Sequence, residues 1–362
     1  MVTCIVNKNI RISHVTLLAP TCRKACVHCG YPSYSDIDFD KIKHIARRLM
    51  SGGISISFYD MNPSEESLAV YELIGQYSDD HSFGWLNITP DFTLSEVAEK
   101  TFRKMKAGLC ISLHGSTAKV HSIISPNLDF NASLAKYEEM KIRFPEKSIG
   151  FAMVVHKQNI NDIPNYFELA NKRKVDYVEF INLLPTGAAR YGMDKELFLD
   201  GTAKTKALRL ISETNYKSLV TLLDSTWGPV PASYRIPPIP GYDPNACSMF
   251  APAIKGFFCN AGFNHLAIRV DTMEVFPCPG MAVWPELCVG MFSPVEGFRI
   301  KSGHFFWDQV EQGIACSTCS VYASCRGGCS ITAYCEAALS LGESLRSRVT
   351  QDDCCRSLSK EF

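Results

Sequence analysis

The chain has 362 residues, 46% of them hydrophobic and 20% charged, and its 37 basic residues balance 37 acidic ones. A net charge of zero argues against a broad electrostatic commitment to nucleic acid or anionic lipid, both of which favour a basic excess. The stretch up to Leu18 is broken by Lys8, Arg11 and His14, so it reads as neither a secretory signal nor a membrane span.

From residue 12 to about 190, short apolar runs alternate with amphipathic stretches. Strands are expected over Ser13–Leu18, Ile54–Phe58, Trp85–Ile88, Leu109–Leu113, Gly150–Val155 and Tyr177–Leu183. Helices are expected over Asp40–Met50, Ser64–Tyr77, Leu94–Lys106, Asn131–Ile142 and Asn161–Asn171, with Asp40 and Ser64 as N-caps. This alternation predicts an α/β fold with a parallel sheet and crossover helices. Six units make a partial (β/α)6 TIM-type barrel rather than a full eight-unit one. Residues 1–200 form this barrel. A helix over Thr202–Tyr216 and a run with Pro229, Pro231, Pro237, Pro238 and Pro240 make 201–246 a linker or a loop over the barrel mouth. Residues 247–362 form a second, cysteine-rich and loop-rich domain, with a hairpin over His265–Phe276 and a helix after Cys329.

Cysteine is the outlier. Of sixteen, three lie within eight residues (Cys22, Cys26, Cys29) and eleven fall between Cys247 and Cys355. Without an export signal a disulfide scaffold is not expected, and clustered thiols read as metal ligands. Cys22-x3-Cys26-x2-Cys29 follows the first strand, so three thiolates in one loop can meet one face of an iron–sulfur cluster. A four-iron cluster with three cysteine ligands leaves one iron open for a substrate or cofactor. Zinc would also accept three sulfurs and the His28 nitrogen, but adjacent His28 and Cys29 reach one ion with difficulty. Later, Cys316-x2-Cys319-x5-Cys325-x3-Cys329, with Cys354 and Cys355, offers more thiols than one tetrahedral ion takes. A zinc ribbon is the alternative there. Cys288 and Cys335 read as buried hydrophobes.

The first motif, at the end of the first strand of a six-unit barrel, resembles that of the radical S-adenosylmethionine enzymes. The resemblance implies that Cys22, Cys26 and Cys29 hold a 4Fe–4S cluster whose open iron chelates the amine and carboxylate of S-adenosylmethionine. Reductive cleavage then yields a 5′-deoxyadenosyl radical that abstracts hydrogen from substrate. His28 stands where the family mostly has an aromatic residue near adenine. The family's Gly-Gly-Glu-Pro is replaced by Asp60-Met61-Asn62-Pro63, so the Asn62 amide oxygen or the Met61 carbonyl would accept from the methionine amine. Ser112-Leu113-His114-Gly115 resembles a Ser-x-x-Gly element, which implies that Ser112 touches the cofactor. The stretch Asn182 to Arg190 resembles the one beside adenine, which brings Asn182 into the cofactor site.

The second motif resembles the SPASM extension of that family, which binds two auxiliary 4Fe–4S clusters. Carried over, Cys259, Cys278 and Cys329 hold one, with Cys247 as candidate fourth ligand. Cys316, Cys319, Cys325 and Cys354 hold the other, with Cys355 able to replace Cys354. Met273 occupies the motif's glycine position, so the hairpin turn is expected to use another geometry.

The resemblance implies oxidative modification of a peptide or protein: a crosslink, a dehydrogenation or a decarboxylation. The same chemistry on a small-molecule intermediate is the alternative, and an electron carrier without S-adenosylmethionine chemistry is another. Pro279 follows Cys278 where sulfatase maturases carry an Asp that acts as the base, which disfavours that activity. Only 21 residues precede Cys22, too few for a leader-recognition domain. A reductant such as flavodoxin or ferredoxin, a cytoplasmic location, and no nucleic-acid or membrane partner complete the expectation. His114 and Asn182 are expected at strand ends facing the barrel mouth. Arg190, Tyr191, His156 and Trp227 are unranked candidates.

Overall fold

The computed structural model describes residues 5–7, 10–22, 24, 26–29, 35–60, 63–77, 85–105, 108–185, 189, 195–214, 220–223, 227 and 265–301. A short antiparallel pair, β1 (Ile5–Asn7) and β2 (Ile10–Arg11), comes first. The six expected strands follow as β3 (His14–Ala19), β4 (Ser55–Asp60), β5 (Trp85–Ile88), β6 (Gly108–Ser112), β7 (Ile149–Val155) and β8 (Tyr177–Asn182). The helices are α1 (Phe39–Ser51), α2 (Glu65–Tyr77), α3 (Glu96–Lys104), α4 (Ala118–His121), α5 (Phe130–Arg143), α6 (Ile163–Arg173) and α7 (Gly201–Thr214).

Local chemistry accounts for these boundaries. In α1 the buried residues Ile42, Ile45, Ala46 and Leu49 recur at helical spacing and face the sheet. Its cap is Asp38 rather than the expected Asp40: the Asp38 carboxylate accepts from the Lys41 amide at 3.0 Å. Asp40 falls inside the first turn and pairs with Lys43 at 2.5 Å. Ser64 caps α2 reciprocally. Its hydroxyl accepts from the Ser67 amide at 3.3 Å, and its own amide donates to the Ser67 hydroxyl at 2.7 Å.

Strands β5, β6, β7 and β8 form a parallel sheet, and β9 (Val220–Leu223) adds a further parallel strand beside β8. That strand lies inside the stretch expected as linker, where the run Val-Thr-Leu-Leu before the prolines has strand character. Strands β3 and β4 are parallel, and β10 (His265–Arg269) pairs in parallel with the other edge of β3. An antiparallel meander of β11 (Glu274–Phe276), β12 (Gly290–Ser293) and β13 (Gly297–Ile300) completes that sheet. Between β4 and β5 the Asn87 amide donates to the Tyr59 hydroxyl at 3.1 Å. The result is a partial TIM-type barrel with its helices outside.

The turn between β10 and β11 corrects one expectation. Met273 adopts φ 62°, the left-handed conformation that glycine would take, instead of another geometry. Its amide donates to the Arg269 carbonyl at 2.7 Å, and its carbonyl accepts from the Phe292 amide at 2.8 Å. These bonds hold a methionine where the backbone favours glycine.

Two faces alternate along the strands. Leu109, Ile111, Leu113, Ile149, Phe151, Met153, Val155, Val178 and Phe180 join the core shared with the helices. Cys110, Ala152, Val154, Tyr177 and Ile181 belong to separate clusters on the inward face. Among the described residues, no helix is long and apolar enough to cross a membrane.

Candidate active site

The cysteine loop leaves the C-terminal end of β3, where parallel barrels place their chemistry. Its base is closed by the Ser35 amide donating to the Pro20 carbonyl at 3.0 Å. The Cys29 amide donates to the Cys26 carbonyl at 3.0 Å, a tight turn joining two of the thiols. Further contacts fix the loop to the strand ends around it. The Thr21 hydroxyl donates to Asp60 at the end of β4. Lys24 pairs with Asp91 beyond β5 at 3.0 Å. The Ser35 hydroxyl donates to Asp271 in the β10–β11 turn at 3.1 Å.

Cys22, Cys26 and Cys29 are half-buried. Burial pushes the Cys22 thiol up, opposed by the Lys24 amide and ammonium. Burial also raises Cys26, opposed by the Ser125 hydroxyl. Metal uptake by such thiols is coupled to proton release. Three sulfurs on one anchored loop suit an iron–sulfur cluster with an open iron. Among the described residues, no three His, Cys, Asp or Glu side chains converge on a single metal ion. His28, the nitrogen a zinc site would recruit, is turned instead toward the Ile124 carbonyl, with its Nδ1 at 2.9 Å.

Beside the loop stands a row of imidazoles. His28 packs edge-on to His114 with ring centroids 4.6 Å apart, and His114 stacks on His121 at 5.5 Å. His114 Nδ1 accepts from the Val154 amide at 3.1 Å, and His121 Nδ1 accepts from the His114 amide at 3.0 Å. His121 Nε2 donates to the Leu128 carbonyl at 2.9 Å. Asn159 ties the ends of β6 and β7 together, donating to the carbonyls of His114 (3.1 Å) and Val154 (2.9 Å) and accepting from the His156 amide at 2.8 Å. Burial holds His114 well below the ordinary imidazole value and lowers His156 to about 4. These imidazoles are neutral at pH 7.

The inward face forms layers set by strand register. Asn87, Cys110, Gly150 and Tyr177 are Cα partners in sequence across β5 to β8. Ser112, Ala152 and Glu179 make the next layer, toward the strand C-termini. Tyr177 closes the lower layer, with its hydroxyl donating to the Leu109 carbonyl at 2.6 Å. Tyr59, Asn87, Ser112, Glu179 and Ile181 are half-buried on the inward face, which bounds the barrel lumen. Burial pushes the Tyr59 phenol up to about 12; the Asn87 amide opposes this, and the Cys29 and Glu179 charges add to it.

The expected site residues fall as follows. Ser112 faces the lumen. Asn182 shares its strand face with Val178 and Phe180 and pairs with Val155, on the side of the helix-packed core. Cys278 follows β11 and packs half-buried against the main core. Trp227 is buried, and its indole donates to the Phe180 carbonyl at 2.7 Å. Asn62, Arg190, Tyr191, Cys247, Cys259, Cys316, Cys319, Cys325, Cys329, Cys354 and Cys355 lie outside the described residues. Sequence reasoning missed Tyr59 and Glu179. The signal for Glu179 was a charged residue at an alternate position of the apolar strand Tyr-Val-Glu-Phe-Ile.

No protein-family model and no curated protein sequence matches the chain. Solved structures do. The structure of anSMEcpe with bound AdoMet and Cp18Cys peptide superposes with a TM-score of 0.63 at 16% identity, over 96% of this chain and 95% of that one. SuiB of Streptococcus suis bound to S-adenosylmethionine gives 0.57 at 14% identity, over 97% and 79%. SuiB bound to the precursor peptide SuiA gives 0.58 at 13% identity, over 96% and 77%. The chain shares the fold of these S-adenosylmethionine-bound structures. At these identities the likeness is one of fold, and it bears out the partial (β/α)6 barrel expected from the strand–helix alternation.

Proposed function

We propose that the chain is a radical S-adenosylmethionine enzyme that oxidatively modifies a peptide or protein. The observation that carries the reading is the anchored three-thiol loop at the C-terminal end of a barrel strand. The fold it shares with structures holding AdoMet and peptides supports the cofactor and the substrate class. Cys22, Cys26 and Cys29 would hold the 4Fe–4S cluster, and Ser112 would contact the cofactor from the lumen wall. Cys247, Cys259, Cys278 and Cys329 would hold one auxiliary cluster; Cys316, Cys319, Cys325 and Cys354 would hold the other.

When bound, the cluster and S-adenosylmethionine together supply a hydrogen-abstracting organic radical. The chain's own residues position and shield it. Thr21–Asp60 and Lys24–Asp91 fix the loop over the strand ends. Cys110, Ala152 and Tyr177 close the lumen floor against water, which would otherwise compete for a reactive species. The neutral imidazoles of His28, His114 and His156 put no cation beside a cationic cofactor.

The test is anaerobic reconstitution with iron and sulfide followed by electron paramagnetic resonance of the reduced protein. S-adenosylmethionine should shift the signal of a cluster with an open iron. The Cys22→Ala, Cys26→Ala, Cys29→Ala triple variant should lose that response. A signal indifferent to S-adenosylmethionine would favour an electron carrier.

A further inference from the structure

The cysteine loop is held on both flanks of the strand it leaves. Strand β3 lies between β4 and β10. On the β4 side, Asp60 accepts from the Thr21 hydroxyl where the chain enters the loop. On the β10 side, Asp271 accepts from the Ser35 hydroxyl at 3.1 Å where the chain leaves it. The first contact is internal to the barrel. The second ties the loop to the hairpin that leads into Cys278.

Register explains why these two segments meet. Strand β10 runs beside β3 from His265 opposite His14 to Arg269 opposite Leu18. One further bond, from the Val270 amide to the Leu18 carbonyl at 3.0 Å, carries the pairing to the end of β3. Both chains turn there. The Ser35 amide is bonded to the Pro20 carbonyl, which places the Ser35 hydroxyl beside the turn that contains Asp271. That turn is closed by the Met273 amide on the Arg269 carbonyl and tied to β12 by the Phe292 amide.

Arg269 aims the carboxylate. Its Nε lies 3.2 Å from Asp271 Oδ1 and its Nη2 2.6 Å from Oδ2, a two-point contact of guanidinium and carboxylate. The two side chains are 18% and 10% exposed, so the pair is largely sheltered from water. Burial would raise the Asp271 carboxyl, but the Arg269 guanidinium and the Ser35 hydroxyl outweigh it and hold it below its ordinary value. An ionised carboxylate accepts from a hydroxyl more strongly than a neutral group does. We propose that Asp271 is a positioning residue for the three-thiol site: aimed by Arg269, it pins Ser35 and with it the returning limb of the cysteine loop. The inference rests on the radical S-adenosylmethionine reading for its consequence, since a loop fixed at both ends presents its thiols to a cluster in one geometry.

The experiment has two arms, both on the full-length chain. In metal-free protein under anaerobic conditions, iodoacetamide labelling of Cys22, Cys26 and Cys29 is followed by peptide mass spectrometry. Buried Cys110 and Cys288 serve as internal controls for folding. Asp271→Ala and Ser35→Ala should each speed labelling of the loop thiols by about threefold or more, with the controls unchanged. The double variant should label no faster than the faster single one, and Ser35→Thr, which keeps the hydroxyl, should stay near wild type. In reconstituted protein, the S-adenosylmethionine concentration that half-saturates the change in the electron paramagnetic resonance signal is measured. It should rise by about fivefold or more in Asp271→Ala and Ser35→Ala, at unchanged iron content. Unaltered labelling, or multiplied effects in the double variant, would overturn the proposal. So would faster labelling with an unchanged response to S-adenosylmethionine, because the contact would then brace the fold without positioning the site. Ser35→Ala removes a single oxygen and carries the test if Asp271→Ala does not fold. Failure of wild type to respond to S-adenosylmethionine would strike the functional reading instead, while the labelling arm would still decide whether Asp271 holds the loop.

Discussion

Gly150 on β7 and Tyr177 on β8 are Cα partners, and a Cβ added at Gly150 would lie 2.4 Å from the tyrosine ring. The ring crosses the inward face of β7 where a side chain would otherwise stand, and its hydroxyl reaches the Leu109 carbonyl on β6. The floor of the lumen therefore depends on one missing methyl group. Gly150→Ala should cost roughly 1–3 kcal/mol through overpacking, read as a lower urea midpoint. Gly150→Ala combined with Tyr177→Leu should recover part of that loss. An additive double variant would contradict the contact.

Asn159 makes three buried bonds to the backbone at the ends of β6 and β7. Asn159→Ala strands one amide and two carbonyls. Each buried polar group left unsatisfied costs about 1–3 kcal/mol. The variant should lose several kcal/mol in denaturant titration, and its S-adenosylmethionine affinity should fall with it because Ser112 and His114 belong to the loosened segment. A loss under about 0.5 kcal/mol would show that this junction is not structural.

Met273 supports the opposite expectation for a mutation. Its left-handed φ costs a non-glycine residue on the order of 1–2 kcal/mol, partly offset by the packing of its side chain. Met273→Gly should leave the thermal midpoint unchanged or raise it, while Met273→Val should lower it clearly. A large drop for Met273→Gly would mean that side-chain packing outweighs backbone strain.

At the other end of the barrel the rings of His14 and His265 lie tilted against each other with centroids 5.0 Å apart, and the Thr16 hydroxyl lies 2.9 Å from His265 Nε2. Burial lowers His14 to about 4; burial, and then the neighbouring His14, lower His265 to about 3. Both are neutral in the fold, whereas the unfolded chain protonates them once pH falls below about 6.5. Their neutrality costs nothing above that pH. As pH drops from 6.5 toward 4 the unfolded state gains protons that the folded state refuses, and stability falls by on the order of a few kcal/mol. His265→Gln should flatten the stability profile between pH 6.5 and 4. An equally steep profile would place the acid sensitivity elsewhere.

The barrel was legible in the sequence because its determinants are local. Apolar periodicity marks β3 to β8 and the helices between them, and Ser64 announces α2 by its own side chain. Asp38 and Asp40 are both good caps two residues apart, and only the chain's path decides between them. Strand β9 was hidden because four residues carry too little periodicity before a proline-rich run. The thiol loop was readable from spacing alone. The lumen was not, since the layer of Ser112, Ala152 and Glu179 exists only once β6, β7 and β8 pair in register. The same holds for the contacts of His28 with His114 and Ile124, which join segments nearly a hundred residues apart.

The central claim is that Cys22, Cys26 and Cys29 make this barrel a radical-generating site. Its most direct test is formation of 5′-deoxyadenosine by the anaerobically reconstituted protein after dithionite reduction with S-adenosylmethionine. Wild type should form it, and the triple cysteine-to-alanine variant should not, although that variant should keep about eight of twelve irons in its auxiliary clusters. No product from wild type carrying a full complement of iron would contradict the account.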